Sequence, residues 1–181
     1  MKTMRVWLAL IIAVAFMLPG AASAASAQEI DAGADAALKA FSEKVDGAQG
    51  YLNTAKGVLV FPKVVKAGFI IAGEGGEGAL RVGGKTVDYY STIAGSFGLQ
   101  AGAVSKSVYI LFMTDDALQN FRNSKGWEAG VDGSVTLIDS GAAGKAQTTT
   151  AKAPILGFVT TNAGLMADIS LVGSKYNKIE K

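Results

Sequence analysis

The chain has 181 residues, with 17 lysines and arginines against 15 aspartates and glutamates, and it contains neither histidine nor cysteine. Without histidine it has no Ser-His-Asp or Cys-His catalysis, no imidazole general base and none of the commonest zinc ligand. Without cysteine it has no disulfides and no lipid-anchored terminus. What survives is carboxylate, lysine, tyrosine or serine-lysine chemistry, or none, so the chain is poorly equipped as an enzyme, and the expectation is no enzyme, no metal and no cofactor.

The first twenty residues, MKTMRVWLALIIAVAFMLPG, have the layout of an export signal. Lys2 and Arg5 form the basic start, residues 6–18 the apolar stretch, and Pro19-Gly20 the helix break. The small residues that follow, AASAASA, offer two A-x-A cleavage sites, ending at Ala24 or Ala27. The apolar stretch falls short of the roughly 20 residues that span a bilayer. The expectation is a cleaved leader over 1–27, one domain over 28–181, and a periplasmic or secreted location. Lys2 and Arg5 leave with the leader, so 15 cations face 15 acids and no basic field remains to attract nucleic acid.

From 28 to 56 the pattern is helical. Ala34, Leu38, Phe41, Val45, Ala48 and Leu52 make one apolar stripe, and Gly47 and Gly50 divide a long helix from a short one. Acids at Glu29, Asp31 and Asp35 suit the positive end of a helix dipole. A strand period begins after Gly57, with apolar runs at 57–61 (GVLVF) and 68–72 (GFIIA) divided by PKVVK at 62–66. ALRV at 79–82 and KTVDYY at 85–90 flank Gly83-Gly84, a two-residue hairpin signal. Strands are further expected at 96–104 (SFGLQAGAV), 107–113, 134–138, 154–161 and 164–172. A helix over 115–125 is expected with Thr114 as its N-cap and Gly126 as its stop. The segment 139–153 reads as a polar excursion. This order predicts an α+β fold: N-terminal helices packed on a strongly curved, mostly antiparallel, barrel-like sheet with one embedded helix.

Residues 73–78, GEGGEG, match the G-x-G-x-x-G spacing of a dinucleotide-binding turn. That turn must open a helix whose N-terminus holds the pyrophosphate, but here a hairpin pattern follows. Glu74 and Glu77 would also repel a phosphate. The segment reads as a glycine-rich bend between strands, its two acids solvated. A carboxylate-based hydrolase would need two acids converging on a cleft, which spacing does not show.

Residues 56–82, KGVLVFPKVVKAGFIIAGEGGEGALRV, resemble the SYLF-domain family of lipid-binding proteins: a K-G, an apolar strand, F-P, a V-x-K-A-G-F-like segment and a glycine-rich turn. The likeness continues through GSFGLQAG (95–102), DDAL (115–118) with Phe121, and GFVTTNAGLMADISLVGSKY (157–176). The resemblance implies a single-domain lipid-binding module. Eukaryotic members bind phosphoinositides and, in some cases, actin filaments; in an exported chain the part carried over is binding of an anionic phospholipid or fatty-acyl ligand, with peripheral membrane contact and no actin.

The residues themselves point to PKVVK as the contact. Lys63 and Lys66 would bracket Val64 and Val65 at an interface, with Arg81 and Lys85 extending the basic patch from the next hairpin. Alternatively, both valines face the core and the lysines are solvated. Glu74 and Glu77, placed between these cations, count against a simple phosphate pocket. The amphipathic N-terminal helix would add acyl contacts. The rival reading is a structural or stress-related envelope protein that self-associates through open sheet edges.

Overall fold

The computed structural model describes residues 24–68, 71–97, 102–138, 153–166 and 170–181. Helix α1 (Ala27–Lys44) and helix α2 (Ala48–Thr54) come first. Strands β1 (Gly57–Gly68), β2 (Ile71–Val82), β3 (Lys85–Phe97) and β4 (Gly102–Phe112) follow, then helix α3 (Asp115–Asn123). Five shorter strands complete the order: β5 (Trp127–Glu128), β6 (Thr136–Leu137), β7 (Ile155–Thr161), β8 (Gly164–Leu165) and β9 (Lys175–Ile179).

These strands form one sheet in the order β5-β9-β3-β2-β1-β4-β7-β6, with β8 paired to β7. All pairings are antiparallel except β6 with β7. The sheet is curled into a half-barrel, so the predicted α+β architecture is the one observed. Curling brings the two ends of the sheet together: Trp127 of β5 and Ile155 of β7 both lie against Gly133.

Each face of the sheet has its own core. The inner core gathers Leu59, Phe61, Val64, Leu80, Val108, Ile110 and Phe112 with Phe121 of α3, Trp127 and Tyr176. The outer core is built where α1 and α2 cover Val58, Val60, Ala79, Tyr109, Leu111 and Phe158. The helical stripe explains this packing: Ile30, Ala34, Ala37 and Phe41 are the buried residues of α1, and the Phe41 ring lies 4.6 Å from Tyr109 and 4.9 Å from Phe158. Tyr109, fully buried, donates its hydroxyl to the Ala37 carbonyl at 3.0 Å, so its polar end is satisfied where its ring is packed. Among the described residues no helix is long and apolar enough to cross a membrane.

Several predicted boundaries move. PKVVK does not divide two strands: β1 runs through Pro62, because the register shifts between Val60 and Lys63 against β2 and between Phe61 and Val64 against β4. A bulge of this kind accepts proline, which cannot donate to the ladder. GEGGEG is not a bend either; it lies inside β2. The expected strand over 96–104 belongs to two strands, the end of β3 and the start of β4, and residues 98–101 between them lie outside those described. The helix expected to reach Lys125 ends at Asn123, although Thr114 caps it as predicted, accepting from the Ala117 N–H at 3.2 Å. The strand expected over 164–172 is only two residues long at its start. The hairpin at Gly83 and Gly84 is observed, both with positive φ (58° and 79°), as a type I′ turn requires. The excursion at 139–153 falls almost wholly outside the described residues.

Candidate functional site

Side-chain direction follows the pleat, and the Pro62 bulge resets it. Lys63 pairs with Glu77 and Val65 with Gly75, which puts Lys63 and Val65 on the outer face. Val64 pairs with Gly76 and Lys66 with Glu74, which puts these two on the inner face. Lys63 and Lys66 therefore do not bracket the two valines on a single surface. Val64 is buried in the inner core, whereas Val65 is 36% exposed. Among the described residues no carboxylate lies within ion-pair distance of Lys63, Lys66 or Lys85.

Arg81 and Lys85 stand apart from this segment. Lys63 pairs with position 77 of β2 and Lys85 with position 82. At about 3.3 Å per residue that is a separation of roughly 17 Å along the strand. Arg81 is engaged with α1: its guanidinium donates to the Asp35 carboxylate at 2.7 Å and to the Asp31 carbonyl at 3.1 Å. Asp31 also accepts from the hydroxyls of Thr86 at 2.6 Å and Tyr89 at 2.9 Å. Burial, then the bond to Asp31, raises the Tyr89 pKa above its ordinary value. Arg81 thus anchors a helix, and Lys85 is exposed at the hairpin turn.

The two glutamates of GEGGEG point to opposite faces, and each has its own cation. Glu74, inside, pairs with Lys106 of β4 at 2.9 Å, with only 6% of the lysine and 12% of the glutamate side chain exposed. Glu77, outside, holds Lys181 at 2.9 Å and accepts from the Ala25 main-chain N–H at 3.0 Å. The two carboxylates cannot flank one bond as a catalytic pair, nor do they leave free negative charge beside the lysines. The glycines between them fit the bulge. A Cβ on Gly76 would overlap the Lys63 carbonyl; one on Gly78 would overlap the Val60 carbonyl and lie 2.7 Å from the Phe61 ring.

Two further features complete the search for chemistry. Asp88, 9% exposed, is held by Arg122 at 3.2 Å and by Lys178 beside a polar cleft of about 290 Å³, also lined by Gln119 and Asn123. Among the described residues no three acidic side chains gather as a metal site.

The sequence reading missed a surface on the outer face beyond the end of α1. Val65, Gly75, Ile93 and Lys175 form one row across β1, β2, β3 and β9. Ile93 is 62% exposed, and Gly73 and Gly95, one row further, have nothing within 4 Å of an added Cβ. Lys63 flanks the row on one side and Lys175, paired with Glu128 at 3.4 Å, closes it on the other. Among the described residues an apolar, glycine-smooth patch with cations at its rim is therefore left uncovered. Ile93 escaped notice because it falls between the strands expected at 85–90 and 96–104, whereas β3 runs from Lys85 to Phe97.

Residues 93–180, which supply Ile93, Lys175 and most of the inner core, match the Ysc84 family model, described as Las17-binding protein actin regulator. Over this segment the chain is similar to the SYLF domain. The family is associated with lipid and actin binding. The matched SYLF segment begins at Ile93 itself, while β1 and β2, which carry PKVVK and GEGGEG, precede it. No curated protein is significantly similar to the chain.

Proposed function

We propose that this chain associates with anionic phospholipid membranes through the uncovered outer patch. Val65 and Ile93 supply apolar contact, and Lys63 and Lys175 lie over the headgroups. The observation that supports the reading is the row itself: exposed branched apolar residues on a surface without protruding side chains at Gly73, Gly75 and Gly95, rimmed by lysines. Each basic residue near an anionic surface contributes about 1 kcal/mol. Arg81 is not part of this contact, being held by α1, and Val64 is not, being buried. Lys66 and Lys85 remain available as secondary contacts from the inner face and the hairpin turn. Binding to a lipid surface needs no reaction, in keeping with a chain that lacks histidine and cysteine. As an exported protein it would meet the outer leaflet of a cytoplasmic membrane or the inner leaflet of an outer one.

Flotation of the protein with phosphatidylglycerol and cardiolipin vesicles tests this. Binding is expected at low salt and should weaken as the Debye length shrinks below about 8 Å. Lys63→Gln with Lys175→Gln should weaken it about 30-fold, two contributions of about 1 kcal/mol each. Ile93→Asp should weaken it further. Absence of binding at low salt would refute the proposal, and unchanged binding by the double lysine variant would remove the outer patch from it.

Self-association is the second reading, and the same patch could carry it. The sheet edges argue against edge-to-edge assembly, since β5 and β6 at the two ends have only two residues each, and short edge strands give little for another chain to pair with. Oligomers that dissolve with Ile93→Asp and ignore vesicles would favour it.

A further inference from the structure

Glu77 is a junction for residues distant in sequence. On the outer face of β2 it accepts from the Ala25 main-chain nitrogen at 3.0 Å and holds the Lys181 ammonium at 2.9 and 3.0 Å. Lys181 donates in turn to the Ala25 carbonyl at 2.7 Å. The next residue, Ser26, caps α1. The Ser26 hydroxyl accepts from the Glu29 N–H at 3.3 Å, and the Glu29 carboxylate accepts from the Ser26 N–H at 2.7 Å and its hydroxyl at 2.8 Å. This reciprocal capping box satisfies two helix-end donors.

The assembly bears on the two small-residue cleavage sites. A cut after Ala27 would remove Ala25, the Ser26 cap and the first residue of α1 together. A cut after Ala24 would keep all of them and would place a new chain terminus on the nitrogen that already faces Glu77. A terminal ammonium there adds an ion pair to the charge-assisted hydrogen bond that the amide already makes with the carboxylate.

We infer that the chain is processed at the Ala24–Ala25 bond and that the α-ammonium released there pairs with Glu77. The step is hydrolysis by a leader peptidase. Water adds across the peptide bond, Ala24 departs with the leader as a carboxylate, and the Ala25 nitrogen keeps one hydrogen from water and takes a proton from solvent. Glu77 then lies between two cations, the Ala25 terminus and Lys181. Removal of the leader strengthens the attachment of α1 to the sheet, which makes processing a stabilising event for the fold. The inference rests on residues 1–24 acting as an export signal, and the test separates the two.

The full chain, expressed in a cell that exports it, is recovered from the exported fraction for intact mass and N-terminal sequencing. The expected start is Ala-Ser-Ala-Gln. A start at Gln28 would overturn the inference while leaving export intact, and an exported chain that retained residues 1–24 would overturn both. Glu77→Gln is then compared in the Ala25-start form and in the same form carrying an Nα-acetyl group. The folding equilibrium constant should fall about five-fold more in the free-amine form, from the ion pair that only the charged terminus makes with the carboxylate. Equal losses in the two forms would show that the terminus does not pair with Glu77.

Discussion

Gly78→Ala isolates why GEGGEG is rich in glycine. A methyl group at Gly78 would overlap the Val60 carbonyl oxygen and lie 2.7 and 2.9 Å from two atoms of the Phe61 ring. Neither neighbour can yield easily: Val60 is backbone at the bulge, and Phe61 is fully buried against Tyr176, with ring centroids 5.5 Å apart. Overpacking of this kind costs typically 1–3 kcal/mol. In a domain of this size that lowers Tm by roughly 2–12 °C, at 2–4 °C per kcal/mol. Gly73→Ala is the internal comparison, since its added Cβ meets nothing within 4 Å. That substitution should be neutral or should stabilise by up to about 1 kcal/mol, because the unfolded chain loses freedom. Urea unfolding of the two variants measures the difference, with the m-value checking that the transition stays two-state. Equal midpoints would refute the claim that the bulge at Pro62 dictates glycine at position 78.

Lys106→Met should cost about 3–5 kcal/mol, because it strands the Glu74 carboxylate in the inner core, and adding Glu74→Leu should recover much of that loss in the same unfolding assay. Burial, and then the charge of Asp88, pushes the pKa of the Tyr90 hydroxyl up to about 12 from its ordinary value of 10.0. The unfolded chain therefore gives up this proton first, so stability is full below pH 10 and declines toward pH 12, at up to about 1.4 kcal/mol per pH unit from this group. Tyr90→Phe should flatten that decline, and because the hydroxyl has no hydrogen-bond partner among the described residues it should leave neutral-pH stability unchanged or improved. Arg81→Ala should destabilise through lost anchoring of α1 with little effect on vesicle binding, since its guanidinium faces Asp31 and Asp35; an equal loss of both would return Arg81 to the lipid contact.

The helical half of the fold was legible because one period runs unbroken through it. Ala34, Phe41, Val45 and Ala48 sit at consistent spacing, and all four are buried as that spacing requires. The sheet was legible only between bulges. The period of two that assigns faces is reset at Pro62 and again at Arg81, so PKVVK looks like one basic-apolar cluster in sequence but is divided between two faces in space. Strand β9, KYNKI, left no apolar run to notice, because only Tyr176 of its five residues is buried.

The glutamates were misread for a related reason. Their partners, Lys106 and Lys181, lie 32 and 104 residues away, and only strand pairing brings them near. Taken alone, Glu74 and Glu77 put two negative charges beside Lys63 and Lys66 and argue against an anionic ligand. Paired as they are, each carboxylate is already matched by a cation, one inside the sheet and one outside. On the outer face, where Glu77 is held by Lys181, Lys63 meets no competing acid from this strand, while Lys175 at the far rim is paired with Glu128 of β5 at 3.4 Å. The electrostatic objection raised by the sequence therefore does not apply at Lys63.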